Sequence, residues 1–195
     1  MQAASRRWLT PAGEVVRHRG GAEQYVMIFS HHTIGTMTNV PAGSDRIGGA
    51  QVRDLLLRYP NVIAWVNGHT HRNQVLPHAR PSGAAVGGGF WEINTAAHID
   101  WPQQSRIVEV ADNLDDTLSI FCTIVDHSGP NSPGSRLTGT APLASLSREL
   151  AANDVSDRTD ARRGELTDRN VELLLPDPIP ACGRHGAPVA EMSGS

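Results

Sequence analysis

The chain has 195 residues and a formal charge of −3, enough length for one globular domain or one domain and a tail. That charge excludes strong electrostatic affinity for nucleic acid or anionic membrane. Every basic residue is Arg, so chemistry that needs a lysine amine is excluded: a Schiff base, a pyridoxal-phosphate anchor, a Walker-type phosphate loop. The two cysteines are too few for a disulfide framework or a thiolate zinc site, and Cys122 sits in an apolar run and reads as buried. No stretch of 18 apolar residues is present and the start has no signal-peptide pattern, so the default compartment is the cytoplasm. Nine His is a high count for this length, and His is a frequent metal ligand and acid/base.

Residues 1–22 read as a short polar lead, with a helix at most over residues 5–9. Residues 24–30 (QYVMIFS) form an apolar run of strand length. Residues 31–44 read as a loop. Apolar residues at 52, 55, 56 and 57 predict a helix over residues 49–59, stopped by Pro60. Residues 61–67 (NVIAWVN) are a second apolar strand, and strand–helix–strand makes a βαβ unit. Strands follow over residues 73–79 and 90–95, then a hairpin of residues 105–111 and 117–126 around the DNLDD turn. Residues 128–140 are a Gly/Ser/Pro-rich linker. Residues 141–175 are expected as a C-terminal helical extension, with Val171 to Leu175 a brief apolar anchor. Residues 176–195 are expected to be disordered.

Two features share one design. His31 and His32 follow the first apolar strand, and Gly68-His69-Thr70-His71 follows the second. Ligands of open α/β sheets bind beyond the carboxyl ends of the strands. Parallel strands would bring both groups to one edge, where Gly68 lets the backbone turn sharply. Imidazoles so gathered suit Zn, Fe, Ni or Mn. His32, adjacent to a ligand candidate, is expected to point elsewhere, toward substrate or as a contact behind the ligands. Asn67 and Arg72 flank the second motif and are candidates for orienting the loop and meeting a phosphate. Asp45, Asp54 and Asp100 read as solvent-facing or capping residues, and Trp65, Trp91 and Trp101 as packing. Asp126 and His127 lack a nucleophile beside them, and no Gly-x-Ser-x-Gly elbow occurs.

FSHHT followed by VNGHTH resembles the C-terminal half of the calcineurin-like metallophosphoesterases. NVIAWVNGHTHRN, GGFWEINTAAHIDWPQQSRIVEV and DRNVELLL are similar, more narrowly, to an actinobacterial branch of that superfamily, over roughly residues 20–175. His31 matches the lone-His motif, with Thr33 where Pro is common, and His69 and His71 match Gly-His-x-His. The resemblance implies that His31 and His69 bind one metal ion and His71 the other. Glu92 and His98, in WEINTAAHID, would stand behind the site. It also implies an α/β sandwich with a mixed sheet, and phosphate-ester hydrolysis by a metal-activated hydroxide, so no side chain is named as nucleophile.

The superfamily's Asp-x-His, Gly-Asp-x-x-Asp and Gly-Asn-His-Asp/Glu motifs would precede the lone His. Only 30 residues do so here, none of those motifs is among them, and no Asp precedes Asp45. The expectation is therefore the C-terminal part of such a domain, residues 23–127, with its N-terminal half missing. A two-metal site needs a carboxylate bridging ions about 3.5–4 Å apart. Three neutral imidazoles supply none, although they suit one Zn²⁺ with a water. At most one divalent ion (Mn, Fe or Zn) is expected, with little hydrolysis of its phosphate-ester substrate. The alternatives are a three-His mononuclear metal-binding module and an inactive structural remnant. Self-association is expected through the exposed sheet edge, with no nucleic-acid or membrane partner.

Overall fold

A computed structural model describes residues 7–9, 15–17, 24–41, 43, 45–154 and 160–179. The fold is mixed α/β with few helices. Strands β1 (Arg7–Leu9) and β2 (Val15–Arg17) pair antiparallel. This corrects the helix expected near residues 5–9: Trp8 and the paired Val15 and Val16 favour extended backbone.

The main sheet has four strands in the order β3 (Val26–Phe29), β4 (Val62–Asn67), β6 (Gly89–Asn94), β5 (Gln74–Ala79). β3, β4 and β6 run parallel, and β5 runs antiparallel to β6. β4 lies between two neighbours and is buried on both faces, which is why it reads as an unbroken apolar run. Helix α1 (Gly49–Leu56) makes the crossover between β3 and β4. The long hairpin β7 (Gln104–Asp112) and β8 (Thr117–Asp126) does not extend this sheet; it forms a separate antiparallel one. Its third strand is β9 (Val171–Pro176), hydrogen-bonded along β8.

β9 corrects the helical reading of the C-terminal extension. Burial alternates along it, with Leu173 and Leu175 inside and Glu172 and Leu174 outside, the period of a strand. The expected helix does form as α2 (Thr140–Ala152), and short 3-10 turns follow at Asp160–Arg163 and Leu166–Asp168. Residues 128–139 carry no regular element. Ile179 is buried and Tyr25 Oη donates to Asp177 Oδ2 at 2.9 Å, so the chain is still packed at the start of the expected tail. Residues 180–195 lie outside the described residues.

Two apolar clusters hold the layers together. Ile63, Ala64 and Ile93 of the main sheet meet Leu118, Ile120, Cys122, Leu173 and Leu175 of the antiparallel sheet. Leu56 of α1 meets Val62, Trp65 and Phe90. Among the described residues β3 ends the main sheet and exposes Phe29. No described helix is long and apolar enough to cross a membrane.

Gly49 opens α1 directly against the loop that leaves β3. A Cβ there would lie 1.9 Å from the Ile34 carbonyl oxygen, an overlap neither backbone can absorb in place. Gly49→Ala is expected to cost about 3 kcal/mol, the upper end for overpacking a close contact, read as a lowered urea midpoint at unchanged slope.

Candidate functional site

Parallel pairing decides the site. Phe29 is in register with Val66, so Ser30 and His31 leave β3 beside Asn67 and Gly68 leaving β4. The Gly68 N–H donates to the His31 carbonyl at 3.0 Å, and the Ser30 N–H to the Val66 carbonyl at 3.1 Å. The Trp65 indole donates to Ser30 Oγ at 2.7 Å, and that hydroxyl donates to the His32 carbonyl at 2.9 Å. Trp65 is core packing, as expected, and its N–H also fixes the start of the histidine loop.

The two loops bring His31 Nε2 within 3.0 Å of His69 Nδ1. The expectation that both motifs meet at one sheet edge holds. His32, expected to point elsewhere, stays with them: its ring centroid lies 4.1 Å from that of His69 and 5.2 Å from that of His31. Both neighbours lie past the end of β3, where the backbone does not alternate side chains between two faces. His69 and His71 both have left-handed backbone, φ 66° and 53°. That region is costly for residues with a Cβ and concentrates at functional sites.

His71 is anchored differently. Its Nδ1 is bonded to Asp100, which also accepts from Arg162 Nη1 at 2.6 Å. This corrects the reading of Asp100 as a plain solvent-facing or capping residue. The His71 hydrogen bond holds its carboxyl below the usual range; burial opposes this, and Arg162 adds to it. Asp45 is exposed, and exposed Asp54 pairs with its neighbour Arg53.

Beneath the loops lies Glu92, its side chain 3% exposed. Its Oε1 accepts from the Ile34 N–H and from Asn67 Nδ2, each at 2.8 Å, and its Oε2 meets His78 Nε2 at 2.8 Å. Burial alone would raise its pKa, but the His78, Ile34 and Asn67 hydrogen bonds outweigh it and hold the carboxyl below its ordinary value. Asn67, the last residue of β4, is thus tied to Glu92 just before the histidine loop. Asn94 Nδ2 donates to Thr70 Oγ1, between the two histidines of the motif.

His98 does not join these loops. Its Nε2 meets Ser105 Oγ at 2.6 Å, beside a cavity of about 360 Å³ also lined by Ser147 of α2. Arg72 turns its Nε inward, buried and without a hydrogen-bond partner among the described residues. His78 and Arg162 were missed in the sequence. His78 pairs with Phe90 across β5–β6, so its contact with Glu92 is a diagonal cross-strand one that only the register reveals.

His69 is held below the ordinary imidazole value, first by loss of solvent and then by charge on His32, His31 and His71. A His that stays neutral keeps its ligand lone pair. Two nitrogens bound to one ion at about 2.0–2.1 Å stand roughly 2.9–3.4 Å apart for right-angle to tetrahedral geometry. The His31–His69 separation falls inside that span. Among the described residues, no three His, Cys, Asp or Glu already converge in an ion-holding pose. The pair is formed and a third ligand must turn toward it. The His31–His69 spacing is thus that of two ligands of one ion. The imidazoles do not fit a bridged pair, because the carboxylates tied to these loops, Glu92 and Asp100, are each committed to a histidine and other donors.

Compared with protein-family models and with curated proteins, the chain matches none.

Proposed function

We propose that this chain holds one divalent ion (Zn, Mn or Fe) at His31, His69 and His71, and that its reaction is phosphate-ester hydrolysis. The observation that carries the reading is the 3.0 Å approach of His31 Nε2 to His69 Nδ1 at the ends of two parallel strands. The Asp100 bond to His71 Nδ1 leaves Nε2 as its outward nitrogen, the carboxylate–histidine pairing common behind metal ligands. His32, its ring tilted 47° against that of His69, is a fourth imidazole at the same edge. A bound divalent ion would supply Lewis acidity to a phosphate ester and acidify a water. The chain's own residues hold the ligands: Glu92 from beneath, and Asp100 from the side with Arg162 behind it.

The test is hydrolysis of bis-p-nitrophenyl phosphate with Mn²⁺ or Zn²⁺. Slow turnover is expected, lost on chelation and in His69→Ala. Turnover indifferent to both contradicts the reading. Ion binding without turnover favours the second reading, an ion-binding module, which the engagement of both nearby carboxylates supports.

A further inference from the structure

We propose that Glu92 is a positioning residue: a single buried carboxylate oxygen that sets the distance between the two histidine-bearing loops. The inference rests on reading His31 and His69 as ligands of one ion, and it adds what makes that pair possible. Both residues are exposed, so burial does not hold their rings in place. What lies beneath them does. Oε1 of Glu92 accepts from the backbone N–H of Ile34, three residues after His31, and from the side chain of Asn67, two residues before His69. One atom therefore ties the loop after β3 to the last residue of β4, two positions before His69. Glu92 sits on β6, the strand next to β4, and its other oxygen is held by His78 from β5. The grip is thus anchored to three strands of the main sheet, and ligand geometry of the kind an ion needs must be held within about 0.5 Å.

The arrangement separates this role from plain packing or plain charge. In Glu92→Gln the carbonyl oxygen can take the place of Oε1 and keep both loop bonds, while the amide nitrogen faces His78. In Glu92→Ala both loop bonds go. A positioning role makes Gln resemble wild type at the imidazoles and makes Ala differ. A role through negative charge makes Gln and Ala fail alike, and a role in packing alone leaves the imidazoles unmoved in both.

The experiment records long-range ¹H–¹⁵N spectra of the histidine rings in the ion-free full chain, with a parallel Co²⁺ titration followed by absorption. Glu92→Gln is expected to keep the His31 and His69 ring signals and to bind Co²⁺ within roughly threefold of wild type. Glu92→Ala is expected to shift both rings and weaken Co²⁺ roughly 10-fold, the lower end of the range for losing a group bonded directly to a metal ligand, since Glu92 acts one residue further back. If the Ala variant does not fold, Asn67→Leu removes one arm only and is expected to shift His69 more than His31. Unmoved rings in Glu92→Ala, or in Asn67→Leu where that variant replaces it, overturn the proposal, as does a Gln variant that fails as badly as Ala. If wild type binds no Co²⁺, the ion reading fails, while the ion-free spectra still decide the role of Glu92.

Discussion

His69→Ala is expected to weaken Zn²⁺ or Co²⁺ binding about 100-fold while leaving the ion-free fold within about 0.5 kcal/mol of wild type. Four-ligand zinc sites are worth about 10–16 kcal/mol, so one ligand contributes about 3 kcal/mol, a factor of about 100. The side chain is exposed, and exposed substitutions away from packed features cost little. His69→Gly sharpens the prediction. The backbone there is left-handed at φ 66°, a conformation costing about 1–2 kcal/mol for a residue with a Cβ and little for Gly. The Gly variant is expected to be more stable than wild type by about 1 kcal/mol and to bind the ion as poorly as Ala. Stability and ion affinity then move in opposite directions at one residue. Urea unfolding and calorimetric titration of the two variants decide it, and a Gly variant no more stable than Ala contradicts the strain argument. The pKa of His69 is depressed, so its ring gives up its proton more readily than an ordinary imidazole. Ion binding is expected to fall with pH as ligand rings protonate.

The second large effect is on stability against acid, and it comes from Glu92. Its folded pKa lies below the unfolded value of 4.5, so the stability it adds is fully present above that value and is lost as pH falls through the folded pKa. The carboxylate makes charge-assisted hydrogen bonds in a buried setting, worth about 1.5–3 kcal/mol each, and a neutral amide keeps their geometry with less energy. Glu92→Gln is therefore expected to be about 2 kcal/mol less stable than wild type at pH 7, with the gap narrowing as pH falls below the unfolded value of 4.5 and through the folded one. Asp100 carries a depressed pKa of the same sign but is present in both proteins, so the difference between wild type and Glu92→Gln reports Glu92. A stability gap that stays constant from pH 7 to pH 3 contradicts this account of Glu92.

What was legible in the sequence was local. β3 and β4 are short apolar runs, and the histidines that follow them are marked by the strand ends and by Gly68. Parallel pairing then puts them together without long-range information. Contacts that depend on register or on distant segments were not legible. His78 reaches Glu92 only through the β5–β6 register. Asp100 reaches His71 across 29 positions, and Arg162 comes 62 positions after Asp100 to complete the pair. β9 was mistaken for part of a helical extension because the charged stretch before it has no strand pattern of its own. Its edge role emerges only when β8 offers a partner. The ring contact of His32 with His69 was not legible because both residues lie past the strand ends, where sequence spacing does not set side-chain direction.

The most direct test of the central claim is calorimetric titration of the full chain with Zn²⁺ at pH 7, alongside His31→Ala. One ion per chain in wild type, weakened about 100-fold in the variant, is the predicted result. Two ions per chain, no ion, or binding unchanged by His31→Ala would contradict it.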